Sequence, residues 1–173
     1  MPAHEPSATL SGPAADGATP ARPPRLATHD AAVAAARAFA DAIADGVVER
    51  DRSGAAPHAE MARYDESGLL AITVPHADGG AALGPSTLAE ITRVIAAVDP
   101  AIAQTPQAHY LFVDAMALLG TEAQKRRLLG EVLAGHRIGN ALAERGTKHA
   151  QDLQTRLARD DAGDVFVGYL CPE

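Results

Sequence analysis

Seven histidines, two carboxylates one helical turn apart and a solitary asparagine are the side chains whose types could carry chemistry. His4, His29, His58, His76, His109, His136 and His149 include no two at the four-residue spacing with which H-E-x-x-H sets a pair of imidazoles on one helix face. A metal would have to be gathered from distant positions, and none is expected. Asp41 and Asp45 could share a proton or hold a cation, but on the polar side of an amphipathic stretch they read as solvated surface. There is no P-loop, no G-x-G-x-x-G and no nucleophile elbow, and Gly79-Gly80 alone is too short to cradle phosphate. His109 and Tyr110 interrupt a long apolar stretch. They are either a hydrogen-bonded pair in a helix interface or a polar face lining a ligand cavity. Asn140 lies in a short apolar run, where its amide could serve a buried backbone group or a cofactor.

The elements that must position these residues are mostly helical. Val33, Ala36, Ala40, Ile43 and Val47 recur at three- and four-residue spacing, with Thr28 or Asp30 as caps, so a helix is expected from about residue 28 through Val47. Pro57 opens a short helix to about Glu66, closed by Ser67-Gly68. Leu69 to Pro75 is an apolar run leading to a turn at Asp78-Gly79-Gly80. Another helix is expected from Ser86 or Thr87, with Thr87 and Glu90 as a capping box. Asp99-Pro100 starts the next, which reaches about Leu119 with Thr105, Ala108, Phe112, Ala115 and Leu119 on one face and Pro106 kinking it or delaying its start. Thr121 with Gln124 caps a last helix ending near Ala134. Beyond Gly135 the helical spacing is lost. Ile138 to Leu142 could be a strand, and Leu153 to Arg159, Asp160-Asp161-Ala162-Gly163 and Val165-Phe166-Val167 read as a hairpin.

Residues 1–27 are rich in Pro, Ala, Gly and Ser, with too few apolar groups to offset the entropy of ordering, and are expected to be a disordered tail. Residues 28–136 form the helical domain, and 137–173 the incomplete start of a β domain, since two or three short strands leave their edges and one face without partners. Aromatics are 3% of the chain against 47% hydrophobic residues, so alanine supplies much of the core and each helix contact buries little area. The formal charge of −7 and dispersed basic residues argue against nucleic acid, and the Lys125-Arg126-Arg127 run reads as a solvated face. No stretch approaches the ~20 apolar residues of a membrane span. A secretory signal pattern is lacking and Cys171 has no internal partner, which fits a cytoplasmic protein.

The order of these segments resembles a known family. Gly68-Leu69-Leu70, Ile72, Val74-Pro75 and Gly79-Gly80 precede two long helical patterns, Gly120-Thr121-Glu122-Ala123-Gln124-Lys125, Leu133-Ala134-Gly135, and then a run ending in Ala143-Glu144 and a hairpin. Over roughly residues 28–168 this is similar to the N-terminal and early middle region of the acyl-CoA dehydrogenase superfamily. Gln107-Ala108-His109-Tyr110 and the segment from Gly139-Asn140-Ala141-Leu142-Ala143-Glu144 to Gln151-Asp152 look most like its flavin monooxygenase-like branch, used in sulfur acquisition and desulfurisation.

The resemblance implies an N-terminal helical domain, a middle β domain and a C-terminal four-helix bundle, with FAD or FMN between the β domain and the helices. It implies a flavin-dependent oxidoreductase acting on a small molecule, an organosulfur compound or an acyl thioester, with homo-oligomeric full-length relatives. Asn140, Leu142, Ala143, Thr147 and His149 fall in the cofactor-contacting segment, and His109 falls at the flavin–substrate cavity as a polar contact or proton relay. Where dehydrogenases have Thr-Glu-Pro and then Gly-Ser, this chain has Ala143-Glu144-Arg145 and Lys148-His149, which disfavours ordinary acyl-CoA dehydrogenation. Tyr169-Leu170-Cys171-Pro172-Glu173 does not fit the family's continuation, so the chain is expected to be a truncated product, inactive alone and with half a flavin site. The alternatives are a non-catalytic helical module that binds a partner or ligand, and an inactive gene fragment.

Overall fold

The computed structural model describes residues 22–140 together with the backbone of 156–159 and 165–168. Helix α1 (His29–Ile43) starts where the Thr28 hydroxyl accepts from the Ala31 amide at 3.2 Å. It buries Ala32, Val33, Ala36, Phe39, Ala40 and Ile43, and its alanines let the helix α4 (Pro85–Ala96) pack closely. The expected run through Val47 is broken: Gly46 takes a left-handed φ of 104°, and Val47 begins α2 (Val47–Ser53) instead. Helix α3 (His58–Glu66) ends before Gly68, whose φ is 82° and whose missing side chain admits the Pro24 carbonyl. A 3-10 turn, Leu69–Ala71, follows, and a second at His76–Asp78.

Three further expectations meet different outcomes. The Thr87–Glu90 capping box does not form, because Gly84 and Pro85 start α4 two residues earlier. Thr87 is buried and pairs through its hydroxyl with His29 Nδ1 at 3.0 Å, while Glu90 grips Arg93 at 2.7 Å. Asp99 does cap its helix, accepting from Ile102 N at 3.1 Å. Pro106 splits the long helix into α5 (Pro100–Gln104) and α6 (Gln107–Leu119). In α7 (Glu122–Leu133) the Thr121–Gln124 capping box is complete.

The core has two parts. The larger gathers the inner faces of α1, α3, α4 and α5 around Tyr64, Leu69, Leu70, Ile91, Ile95 and Ile102; the smaller joins Val74, Val113, Leu129 and Val132. Helix α6 spans both, since Tyr110 belongs to the first and Val113 to the second. Residues 22–27, assigned from sequence to the tail, lie against the body: Arg22 donates to the Leu133 carbonyl at 3.2 Å and Arg25 to that of Gly80 at 2.8 Å. Residues 136–140 form no strand. Further on, β1 (Arg156–Arg159) pairs antiparallel with β2 (Val165–Gly168), Leu157 opposite Val167; the turn read at Asp160-Asp161-Ala162-Gly163 and the start of the first strand at Leu153 lie outside the described residues. No helix among the described residues is long and apolar enough to cross a membrane.

Candidate functional site

Helix α6 is apolar almost all round, so its sequence alone leaves the buried side ambiguous. The structure turns His109, Tyr110 and Val113 inward. The apolar face read from the sequence lies outward, with Ala108, Phe112 and Ala115 half-buried and Leu119 85% exposed. Leu118 is 81% exposed and Leu111 58%, so three large apolar side chains of one helix meet solvent.

The inward pair is tied to backbone. His109 is fully buried; its Nδ1 accepts from the Ile138 amide at 3.0 Å, which leaves the ring proton on Nε2 to donate to the Leu70 carbonyl at 2.9 Å. Burial holds the imidazole pKa below its usual 6.5; the Leu70 bond opposes this shift and Arg137 reinforces it. Both nitrogens of the neutral ring are thus hydrogen-bonded to backbone, Ile138 on one side and Leu70 on the other. Tyr110 donates to the Leu69 carbonyl at 3.0 Å and accepts from Tyr64 at 2.7 Å. Burial raises the pKa of both phenols. Adjacent residues of α6 therefore grip adjacent carbonyls of the 3-10 turn. Tyr110→Phe leaves the Leu69 carbonyl and the Tyr64 hydroxyl short of partners, and is expected to cost about 1–3 kcal/mol in urea unfolding. Tyr64→Phe removes one donor and is expected to cost about 1 kcal/mol.

The chain leaving α7 is held at successive points. Arg137 pairs with Asp65 at 2.7 Å, though burial still keeps the Asp65 pKa above its ordinary value, and Ile138 is held by His109. Gly139 and Asn140 then emerge beside the outward face of α6. On one side Ile138 and Gly139 border a cleft of about 490 Å³ floored by Phe112, Ala115, Met116 and Leu119. On the other, Gly139 and Asn140 meet Gln104, Gln107, Ala108 and Leu111 around a cleft of about 460 Å³. Three amide side chains thus lie at the edge of an apolar surface. That combination suits one face of a flat heteroaromatic ring whose rim takes hydrogen bonds. Sequence reasoning missed Gln104, Gln107 and Leu111; their spacing of three and four residues across Pro106 was the available signal. Leu142, Ala143, Thr147 and His149 lie outside the described residues. A separate cleft of about 430 Å³, between α4, α5 and α6, is lined by Leu88, Thr92, Ala103 and Tyr110. Among the described residues no three His, Cys, Asp or Glu gather as metal ligands.

With the fold and this surface in view, the family is defined: residues 27–136 match the acyl-CoA dehydrogenase N-terminal domain, and the chain belongs to that family. A dibenzothiophene monooxygenase of Rhodococcus erythropolis is 32% identical over 147 residues, covering 84% of this chain and 35% of the relative. The probable FMNH2-dependent monooxygenase SfnC of Pseudomonas putida is 34% identical over 106 residues, 61% of this chain and 25% of that one. The crystal structure of FMN-bound TdsC from Paenibacillus sp. A11-2 superposes with a TM-score of 0.70 at 25% identity, covering 79% of this chain and 34% of that one. The chain spans about a third of the length of the dibenzothiophene monooxygenase and TdsC.

Proposed function

We propose that this chain is the N-terminal wall of a flavin cleft in an organosulfur monooxygenase, with FMN as its cofactor. The observation that carries the reading is the apolar outward face of α6 with Asn140, Gln104 and Gln107 at its edge. The matched relatives support FMN over FAD and an organosulfur compound over an acyl thioester, and the absence of Thr-Glu-Pro and Gly-Ser at residues 143–149 also disfavours the acyl thioester. Reduced flavin, when bound, supplies the electrons that activate oxygen. The chain's own part is to cover one ring face with Phe112, Ala115 and Met116, and to bond its polar edge through Asn140 and the segment reaching Leu142, Ala143, Thr147 and His149.

One wall binds weakly. A contact free energy of about −4 to −6 kcal/mol corresponds to dissociation constants from roughly millimolar to tens of micromolar. Titrating the purified chain with FMN is expected to give a shifted visible band, weakened several-fold by Asn140→Ala, and no turnover. An unchanged FMN spectrum at millimolar concentration would sink the reading. A second reading, a non-catalytic partner-binding module, has the exposure of Leu111, Leu118 and Leu119 in its favour; it predicts a stable helical chain that leaves the FMN spectrum unaltered.

A further inference from the structure

We infer that His109 is a positioning residue, whose Nδ1 holds Ile138 and so sets where Gly139 and Asn140 enter the cleft beside α6. This rests on the reading of that cleft as a flavin wall, and names the side chain that fixes its rim. Asn140 itself is exposed, and no strand partner holds residues 136–140. Among the described residues, the bond from the Ile138 amide to His109, at 3.0 Å, is the last tether before Asn140. Its anchor is rigid. The ring is fully buried, its other nitrogen is bonded to Leu70 at 2.9 Å, and its edge packs against Tyr110 with centroids 5.3 Å apart. A buried, locked ring that accepts a hydrogen bond from the backbone amide just before a cofactor-contacting segment defines that segment's direction without touching the cofactor.

Two substitutions separate this role from general support. Asparagine places its terminal atoms near Nδ1 and can keep the Ile138 bond while losing Leu70; glutamine reaches towards Nε2 and does the reverse. His109→Gln is expected to speed exchange of the Ile138 amide about tenfold and weaken FMN binding roughly three- to tenfold, the scale of one hydrogen bond. His109→Asn is expected to keep both within about twofold while lowering overall stability. If His109 were only structural support, FMN affinity would fall in step with stability in both chains, and that result overturns the inference. So does His109→Gln with faster Ile138 exchange and undiminished FMN affinity. If the unsubstituted chain binds no FMN, the flavin reading fails, and Ile138 exchange in the two variants still decides whether His109 fixes the segment. Should a variant not fold, imidazole nitrogen shifts of the unsubstituted chain decide instead. A protonated Nε2 with a bare, hydrogen-bonded Nδ1 is expected, and a protonated Nδ1 overturns the inference.

Discussion

His109→Phe is expected to lower the unfolding free energy by roughly 2–6 kcal/mol, since it strips the buried Leu70 carbonyl and Ile138 amide of their partners at about 1–3 kcal/mol each. Domains of this size are stable by about 5–15 kcal/mol, so the substitution removes a large part of the margin. The same residue imposes a pH dependence. The folded ring resists protonation, while the unfolded chain takes up that proton near pH 6.5. The unfolded state therefore binds more protons in this window, and stability falls as pH drops below about 6.5 towards the lower folded value. The stabilisation is complete above that window. One such site contributes at most about 1.4 kcal/mol per pH unit. Urea unfolding at several pH values is expected to show a shallower acid-side slope in the phenylalanine chain than in the unsubstituted one. Parallel slopes would place the titrating group elsewhere.

Asp99→Ala is expected to cost about 2–4 kcal/mol, because one carboxylate serves two tasks. One oxygen caps α5 at Ile102, and the other receives Arg50 Nη2 at 3.1 Å and Nε at 3.4 Å. Arg50 also reaches Glu60 at 3.0 Å and the Ile43 carbonyl at 2.8 Å, tying α1, α2, α3 and α5 together. Its side chain is only 16% exposed, so losing Asp99 leaves a poorly solvated cation with one carboxylate fewer. Asp99→Asn keeps an oxygen for the cap and is expected to cost about half as much, by the usual worth of a cap. Thermal or urea unfolding of both chains checks the order; equal losses would mean that the ion pair with Arg50, lost in both, accounts for the whole effect and the cap for none of it.

These two residues also mark how far the sequence could be read. The cap at Asp99, the break at Pro106 and the capping box at Thr121 were legible because each depends on neighbours within four residues. The ion pair of Asp99 with Arg50 joins positions 49 apart and has no local signature. Helix α6 shows the same limit differently. Two stripes at helical spacing compete in it, one through Ala108, Phe112, Ala115 and Leu119, the other through Pro106, Tyr110 and Val113. The first is richer in apolar residues, yet the second is the one buried. Histidine scores as polar, yet His109 goes inside because the carbonyl of Leu70 and the amide of Ile138 supply both its bonds. Asn140 was singled out from its residue type and setting, but its neighbours Gln104 and Gln107 emerge only once α5 and α6 are folded against it. The family order of segments carried over faithfully, since it depends on the sequence of elements rather than on which face each one buries.

The most direct test of the flavin wall is an amide chemical-shift map of the nitrogen-15-labelled chain during FMN titration. The account predicts saturable shifts at Ala108, Leu111, Phe112, Ala115, Gly139 and Asn140, with Leu88, Thr92 and Ala103 unmoved. Shifts confined to those last three residues, or none at millimolar FMN, would contradict it.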